Sequence, residues 1–200
     1  MSDPHAVTRQ FEAALCEYTG AKYAVTTNSC TMAILMACAY WRTRYGDKVT
    51  MPKLSYVGVP ASVRQAGFRV GFEDKPWHGE YQLSPLPVFD SARRFTSGMY
   101  LQGQMQCVSF HASKILGDSQ GGAILHDNAD ADQWLRRARF DGRTEGADPK
   151  TDQVQWPSWH AYLSPDVAAR LLWRLSVLPK VNADLPRSDY PDLSQLEAFR

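Results

Sequence analysis

The spacing of hydrophobic residues along the chain predicts an alternation of helices and strands. Near the N-terminus, Val7, Phe11 and Tyr18 recur at helical spacing, and Gly20 marks the end of that helix. Short runs rich in β-branched and aromatic residues predict strands, and the apolar runs between them predict further helices. The predicted strands are Tyr23–Thr27, Lys48–Met51, Phe68–Phe72, Leu86–Phe89, Cys107–Phe110 and Ala123–Leu125. The further predicted helices are Met32 to about Tyr45, one with Pro60 in its first turn, Ala131–Phe140, and one capped by Ser164 that continues to about Val181.

Strands that alternate with helices predict an α/β fold, with a mostly parallel sheet flanked by helices. The chain has 200 residues, of which 44% are hydrophobic and 22% are charged, as in an ordinary globular domain with a substantial core. We expect one domain over residues 1–181, followed by a tail over 182–200. Residues 74–85 and 141–157 read as irregular segments because they are rich in turn-forming residues.

Composition narrows the possible environments and partners. The formal net charge of +1 gives no field that would favour nucleic acid or an anionic membrane, and no apolar run is long enough to span a bilayer. The four cysteines (Cys16, Cys30, Cys38 and Cys107) are scattered, without the spacing of a metal site or a disulfide framework. We therefore expect no metal and a reducing compartment, the cytoplasm, or the host cytoplasm if the protein is viral.

Polar residues follow four of the predicted strands, where ligands of a parallel α/β sheet bind. They are the Asn28–Thr31 turn, Tyr56, Asp90 and Lys114. A lysine held in a Ser/Gly-rich loop between two strands can act as a nucleophile, since burial lowers the pKa of an amine. Each residue also has a plain structural explanation: a helix cap in the turn, core packing for Tyr56, a strand-end cap for Asp90 and an ordinary loop lysine. Their occurrence together at four strand ends favours a binding site.

Six motifs in register give the chain a family resemblance over about Phe11–Lys180. They are Phe11–Val25, Asn28–Thr31, Pro52–Val57, Asp90–Ala92, Ser109–Lys114 and Gln120–Gly122. In this order they resemble the fold-type-I pyridoxal-phosphate (PLP) enzymes, specifically the DegT/StrS-type sugar aminotransferases. Ser109–Lys114 is similar to the family's Ser-Phe-His-Ala-Thr-Lys, and Asp90–Ala92 to its Asp-Ala-Ala. The resemblance implies that residues 1–181 are a PLP-binding large domain.

The resemblance also implies a role for each site residue. Lys114 would carry PLP through a Schiff base, and Asp90 would pair with the pyridine N–H, so that the ring remains an electron sink. The remaining contacts would come from Tyr56, stacked on the ring, from Cys30, Thr31 and Ser109 at the phosphate, and from His160. His160 matches the residue that reaches the phosphate of a neighbouring subunit, which predicts a homodimer.

Four departures from the family pattern affect these expectations. Cys30 replaces the glycine of the phosphate turn, Arg93 stands where Gln or His is usual, and His160 replaces an Asn. The family's C-terminal small domain has no counterpart in the sequence. We therefore expect the active site to be covered by a partner subunit or left open to a bulky substrate.

Three functions fit this resemblance. The first is aminotransfer to a nucleotide-linked substrate such as a sugar nucleotide. The second is decarboxylation of an amino acid attached to a nucleotide, as in the hypermodified DNA of some phages, and the third is a non-catalytic binding protein of the same fold. Nucleic-acid contact is a further hypothesis. It rests on a local cluster of Arg136, Arg137, Arg139 and Arg143, but nearby acidic residues favour a solvated face of mixed charge.

Overall fold

A computed structural model describes residues 3–154, 156, 158–186 and 188–199. Five α-helices and seven strands are found in this part of the chain. The helices are α1 (Ala6–Thr19), α2 (Cys30–Trp41), α3 (Gly58–Gln65), α4 (Ala129–Ala138) and α5 (Pro165–Ser176). The strands are β1 (Tyr23–Thr27), β2 (Lys48–Pro52), β3 (Arg69–Glu73), β4 (Tyr81–Gln82), β5 (Val88–Asp90), β6 (Met105–Ser109) and β7 (Gly122–His126). Two 3₁₀ turns follow, Leu193–Gln195 and Glu197–Phe199. None of the described helices is long and apolar enough to cross a membrane.

The α/β fold class is confirmed, but the prediction of a mostly parallel sheet is wrong. The main sheet has the order β1-β7-β6-β5-β4, and only its β5–β6 pair is parallel. Strands β2 and β3 form a separate parallel pair. Because β7 is antiparallel to both β1 and β6, those two strands run in the same direction as β5. The carboxyl ends of β1, β5 and β6 therefore still meet at one edge.

The reversal of β7 follows from the connection that leads to it. A parallel connection needs a crossover of a dozen or more residues, usually containing a helix. Residues 110–121 contain no helix, so β7 returns directly beside β6 in the opposite direction. The short strand β4 lies inside the stretch that we predicted to be irregular, and it pairs antiparallel with β5.

Helices cover both faces of the main sheet because successive strand residues point to opposite sides. Cys107 and Ile124 pack with α2 on one face, whereas Val108 and Leu125 pack with α1 and α5 on the other. Helix α2 is apolar on all sides, and residues 33–38 are all buried against the sheet and the neighbouring helices. This buried helix fixes the position of its own N-terminus at the edge where β1, β5 and β6 end.

Several helix boundaries differ from their predictions. Helix α2 ends at Trp41 and α5 at Ser176, in each case four or five residues earlier than expected. Ser164 occupies the N-cap of α5 as predicted, but its hydroxyl donates to the side chain of Asp166 and caps no helix amide. Beyond α5 the chain packs back onto the domain, where Leu193 is buried and its N–H donates to the Lys53 carbonyl at 3.0 Å.

A cluster of charged side chains lies buried between α1, β1 and α4; we call it the Glu12 cluster (Glu12, Thr26, Arg136 and Arg139). The Glu12 carboxylate accepts from the Thr26 N–H at 2.9 Å, from Arg136 Nη1 at 2.7 Å and from Arg139. Arg139 is only 1% exposed. The expectation that the arginine cluster lies on a solvated face is therefore wrong for Arg139, which forms a buried ion pair.

Candidate active site

One cavity of about 380 Å³ opens at the edge where β1, β5 and β6 end. Six residues predicted from the sequence line it together. They are Cys30, Thr31, Tyr56, Asp90, Ser109 and Lys114. These residues come from separate loops and strand ends, and the fold brings them around one space. Their placement is as the strand-end pattern predicts, whereas their roles toward a cofactor stay predictions.

The start of α2 forms one wall of the cavity and is suited to an anion. Ser29 is the N-cap, and its hydroxyl accepts from the Met32 N–H at 3.1 Å. Cys30 and Thr31 form the first turn, where backbone N–H groups and the positive end of the helix dipole favour a phosphate. The capping role of Ser29 and an anion site are therefore compatible.

Two glycines allow this wall to form. A Cβ on Gly122 would lie 2.5 Å from the backbone nitrogen of Cys30, so only glycine lets β7 approach the start of α2 so closely. A Cβ on Gly58 would lie 3.2 Å from the Thr31 hydroxyl and 2.7 Å from the Tyr56 ring. The space beside the N-terminus of α2 thus exists because Gly58 and Gly122 carry no side chain.

Asp90 ends β5 and is 6% exposed. Its carboxylate accepts from the Tyr81 hydroxyl at 2.7 Å and from the Ala92 N–H at 3.0 Å. Burial raises the pKa of Asp90, and these two hydrogen bonds oppose that rise. Burial also raises the pKa of Tyr81, so its hydroxyl stays a donor. Both hydrogen-bond partners are neutral, and the positive charges of Lys114 and Arg93 add to their effect of lowering the pKa of Asp90.

Lys114 lies in the loop between β6 and β7. The loop folds on itself, with the Lys114 N–H donating to the His111 carbonyl at 2.9 Å, and a Cβ on Gly117 would lie 2.8 Å from the Lys114 carbonyl. Ion pairs of 3.0 Å from Arg170 and 3.3 Å from Arg174 to Asp118 tie the loop to α5. Among the described residues, the Lys114 amine has no hydrogen bond or ion pair.

Cys30 and Tyr56 complete this surface. Burial raises the pKa of the Cys30 thiol well above its ordinary value, and the nearby charge of Asp90 adds to the rise. The thiol donates weakly to the Cys107 carbonyl at 3.5 Å, so it stays neutral in the wall. Tyr56 is 54% exposed, which disfavours the core-packing explanation and leaves its ring at the mouth of the cavity.

His160 does not line the cavity within its own chain. Its side chain is 68% exposed, and Nδ1 lies 2.7 Å from the Asp141 carboxylate. Its ring meets the edge of Tyr162 at a centroid distance of 4.8 Å. Contact between His160 and a second subunit is not tested by one chain and stays a prediction.

Sequence reasoning missed four residues of the site. Tyr81, Trp77, Ser188 and Tyr190 lie in segments that we predicted to be an irregular excursion and a tail. The Trp77 ring stacks near Tyr190, with centroids 6.5 Å apart, and meets Tyr81 at 4.8 Å. The two aromatic residues in 74–85, Trp77 and Tyr81, were the sequence feature that could have indicated this part of the site. Their spacing along the chain did not show that they lie near Asp90.

Comparison with known proteins identifies similar folds. Residues 5–85 match a family model described as the DegT/DnrJ/EryC1/StrS aminotransferase family. PseC of Helicobacter pylori, an aminotransferase involved in pseudoaminic acid biosynthesis, is 19% identical with a TM-score of 0.73, over 86% of this chain and 58% of that one. The sugar aminotransferase CalS13 of Micromonospora echinospora is 17% identical with a TM-score of 0.72, over 86% and 61%. NtdA of Bacillus subtilis, solved with bound pyridoxamine phosphate, is 19% identical with a TM-score of 0.71, over 86% and 48%.

These matches confirm the resemblance to that aminotransferase family and the fold class. PLP dependence, which the resemblance implied, is a property of the matched family, and the NtdA structure holds the amine form of the cofactor. At these identities, the likeness to the solved structures shows the fold. The chain spans about three fifths of the length of PseC and of CalS13.

Proposed function

From a fold and a segment shared with the DegT/DnrJ/EryC1/StrS aminotransferases, we propose that this chain is a PLP-dependent enzyme acting at an amine-bearing carbon. The observation that carries the proposal is the meeting of Lys114, Asp90 and the start of α2 in one cavity. These supply a nucleophilic amine, a buried carboxylate and a phosphate site, the three attachments that PLP needs. The residues present therefore fit the cofactor.

Each end of the cofactor would have its own residues. Lys114 would attach PLP covalently, Asp90 would accept the pyridine N–H, and Tyr56 would cover the ring face. Cys30, Thr31 and Ser109 would hold the phosphate at the positive end of α2. When bound, PLP supplies an electron sink for the bond that breaks at the amine-bearing carbon.

The chain's own groups would orient the substrate and move its proton. Lys114 is the amine in the cavity that can remove and return a proton at the amine-bearing carbon once the substrate's amine has replaced it. Asp90 holds its charge in a site with little water, where a charge-assisted hydrogen bond to a pyridine N–H is strong. Asp90 thereby keeps the ring protonated and the electron sink effective.

Aminotransfer to a nucleotide-linked sugar is the reaction we propose. PseC and CalS13 are aminotransferases by description, and the dehydratase ColD, whose fold is similar to this chain, was solved with bound GDP-perosamine, a nucleotide sugar. The protein decides the reaction by orienting one bond at the amine-bearing carbon. Incubation of PLP-loaded protein with amino acids alone should produce pyridoxamine phosphate and a keto acid, and keto-sugar nucleotides added afterwards should be converted to amino-sugar nucleotides with return of PLP. Release of carbon dioxide would instead indicate the decarboxylase, and no turnover would indicate a binding protein.

Covalent attachment at Lys114 is the first test. Borohydride reduction of the PLP-loaded protein, followed by peptide mapping, should place the pyridoxyl label on Lys114. The variant Lys114→Ala should lose the label and the absorption of the attached cofactor completely. Lys150→Ala, at an exposed lysine, is the control and should keep both. A label on another lysine, or none with PLP in excess, contradicts the assignment.

We also propose that the working form is a homodimer in which His160 contacts the cofactor of the other subunit. The exposed ring of His160 and its place in the family resemblance support this. Sedimentation should give twice the chain mass, and His160→Ala should weaken PLP binding about tenfold, the effect of one hydrogen bond to a charged group. The comparison variant is His111→Ala, which removes a histidine that lines the cavity of its own chain, and its PLP affinity is measured in the same way. A monomer with full PLP affinity contradicts this proposal and leaves the Lys114 site standing.

A further inference from the structure

Two consecutive arginines near Asp90 have different surroundings. Arg94 forms ion pairs with Glu80 and, at 2.7 Å, with Asp184. Arg93 makes no ion pair with any residue in the described ranges. Its hydrogen-bond acceptors are neutral: the Pro186 carbonyl and the hydroxyls of Ser188 and Tyr190. Arg93 therefore brings to the cavity a positive charge that has no direct ion pair among the described residues, although it lies near enough to Asp90 to lower the pKa of that carboxyl.

The guanidinium of Arg93 also has donors to spare. An arginine carries five N–H groups, and three hydrogen bonds to the tail account for part of them. Its Nε atom is buried and has no partner among the described residues. A buried donor without a partner is costly, so its persistence calls for an explanation. A ligand that accepts from Nε provides one.

The free charge of Arg93 lies at the proposed reaction site. Arg93 lines the same cavity as Lys114 and Asp90. The one carboxylate among the cavity-lining residues, Asp90, already accepts from Tyr81 and Ala92. An anionic group entering with the substrate would meet Arg93 as a cation that no carboxylate of the described residues contacts directly.

A segment of the tail holds Arg93 in place; we call residues 184–193 the strap, with residue 187 outside the described part. The Leu185 N–H donates to the Arg93 carbonyl at 2.9 Å, and the buried Leu193 anchors the far end. Between these anchors, Ser188 and Tyr190 accept from Nη2, and the guanidinium lies 5.6 Å from the Tyr190 ring centroid. The strap fixes the direction of the remaining donors.

We propose that Arg93 binds the carboxylate of an amino-acid substrate, and that the strap positions its guanidinium for that contact. The inference rests on the proposed PLP site and adds the class of the amine-bearing substrate. A carboxylate fits because one of its oxygens can accept from the unpartnered Nε while its negative charge pairs with the guanidinium, whose Nη2 already donates to Ser188 and Tyr190. The phosphate of the cofactor already has its site at the start of α2. A nucleotide phosphate is the other oxyanion that could reach Arg93, and the test separates the two.

The test measures ligand binding by the absorption change of PLP-loaded protein. The probes are L-glutamate, its α-amide isoglutamine and its side-chain amide glutamine, with uridine diphosphate as a competing phosphate ligand. Arg93→Gln removes the positive charge, and Arg93→Lys keeps the charge but lacks the planar guanidinium. Tyr190→Phe removes the hydroxyl that accepts from Nη2 of Arg93. Arg44→Gln is the matched control, because Arg44 also has neutral partners but is exposed outside the cavity.

We expect wild-type protein to bind glutamate about ten- to a hundredfold more tightly than the amide that lacks the recognised carboxylate. This ratio corresponds to the loss of one hydrogen bond to a charged group. Arg93→Gln should erase that preference without loss of PLP, Arg93→Lys should restore part of it, and Tyr190→Phe should reduce it. Arg44→Gln should keep the preference. Uridine diphosphate should compete with glutamate to the same extent in wild type and in Arg93→Gln.

Other outcomes overturn the inference in distinguishable ways. A preference that survives in Arg93→Gln, or is missing in wild type, overturns it while PLP attached at Lys114 still supports the proposed function. Loss of uridine diphosphate competition in Arg93→Gln assigns Arg93 to a phosphate. Weaker PLP binding with an unchanged preference assigns Arg93 to the cofactor. Wild-type protein that attaches no PLP overturns both proposals.

Discussion

Two buried carboxylates show how differently one small domain can treat the same charge. Glu12 is surrounded by Arg136, Arg139 and the Thr26 amide. Burial alone would raise its pKa, but the two arginines outweigh burial and hold the pKa at about 2. Asp90 accepts hydrogen bonds from neutral donors and makes no direct ion pair, so burial outweighs these donors and the charges of Lys114 and Arg93, and its pKa stays raised.

The difference separates a structural charge, Glu12, from the charge of Asp90, which we propose to be functional. The Glu12 cluster is complete within the chain, since its carboxylate faces two cations, and it joins α1, β1 and α4. In the cavity, Asp90, Arg93 and the Lys114 amine make no direct ion pair with any described residue, although the positive charges of Lys114 and Arg93 lie near enough to lower the pKa of Asp90. A buried carboxylate and two cations that lie in one cavity without a direct ion pair are typical of a ligand site.

The largest effect is expected from breaking the complete cluster. Glu12→Gln removes the closer of the two carboxylates paired with the buried Arg139 and leaves Glu145 at 3.3 Å, and we expect the free energy of unfolding to fall by up to about 3–5 kcal/mol. Urea denaturation of the protein at neutral pH measures it. Glu17→Gln, on an exposed position of the same helix, is the control and should change stability by less than about 0.5 kcal/mol. A loss of similar size in both variants would contradict the comparison.

The same variant has a pH signature with a defined sign. The pKa of Glu12 is lower in the folded chain than its ordinary value of 4.5, so the unfolded chain takes up the proton first as the pH falls. Its stabilisation is complete above about pH 4.5 and is lost toward about pH 2. The stability difference between wild type and Glu12→Gln should therefore shrink across that window. A constant difference would mean that the charge of Glu12 is not responsible.

Asp90→Asn should have a small effect on stability and a large effect on turnover, whereas Glu12→Gln is expected to lose stability. Removing this buried charge should leave the stability of the cofactor-free protein within about 1 kcal/mol of wild type, because the relief of its desolvation is opposed by the lost attraction to Lys114 and Arg93. PLP should stay bound at Lys114, while turnover falls by at least about a hundredfold, because the pyridine nitrogen loses its charged partner. Thermal unfolding and turnover measure the two effects. Retained activity would make Asp90 a structural residue.

The smallest effect is expected at the hydroxyl that orients Asp90. Tyr81→Phe keeps the ring against Trp77 and removes the 2.7 Å hydrogen bond to the carboxylate. We expect a loss of about 1 kcal/mol in stability, with Asp90 left more easily protonated. Activity should therefore be lost at a higher pH on the acid side than in wild type. An unchanged acid limit would show that Tyr81 does not tune Asp90.

The site could be predicted from the sequence even where the sheet could not. Asp90 and Lys114 were located because each follows a strand, and β5 and β6 do run in the same direction. Strand direction at β7 was missed because hydrophobic alternation is identical in parallel and antiparallel strands. The missing helix between Ser109 and Gly122 was the clue to its reversal.

Local chemistry was enough to determine the elements, the buried helix α2 and the residues that end its neighbouring strands, because periodicity and capping act within a few residues. Only the tertiary structure decided what those residues meet. Tyr81 reaches Asp90, Arg139 reaches Glu12 across 127 positions, and the strap returns to Arg93. The pKa of a carboxylate depends on such partners and on burial, and both are set when distant segments pack together.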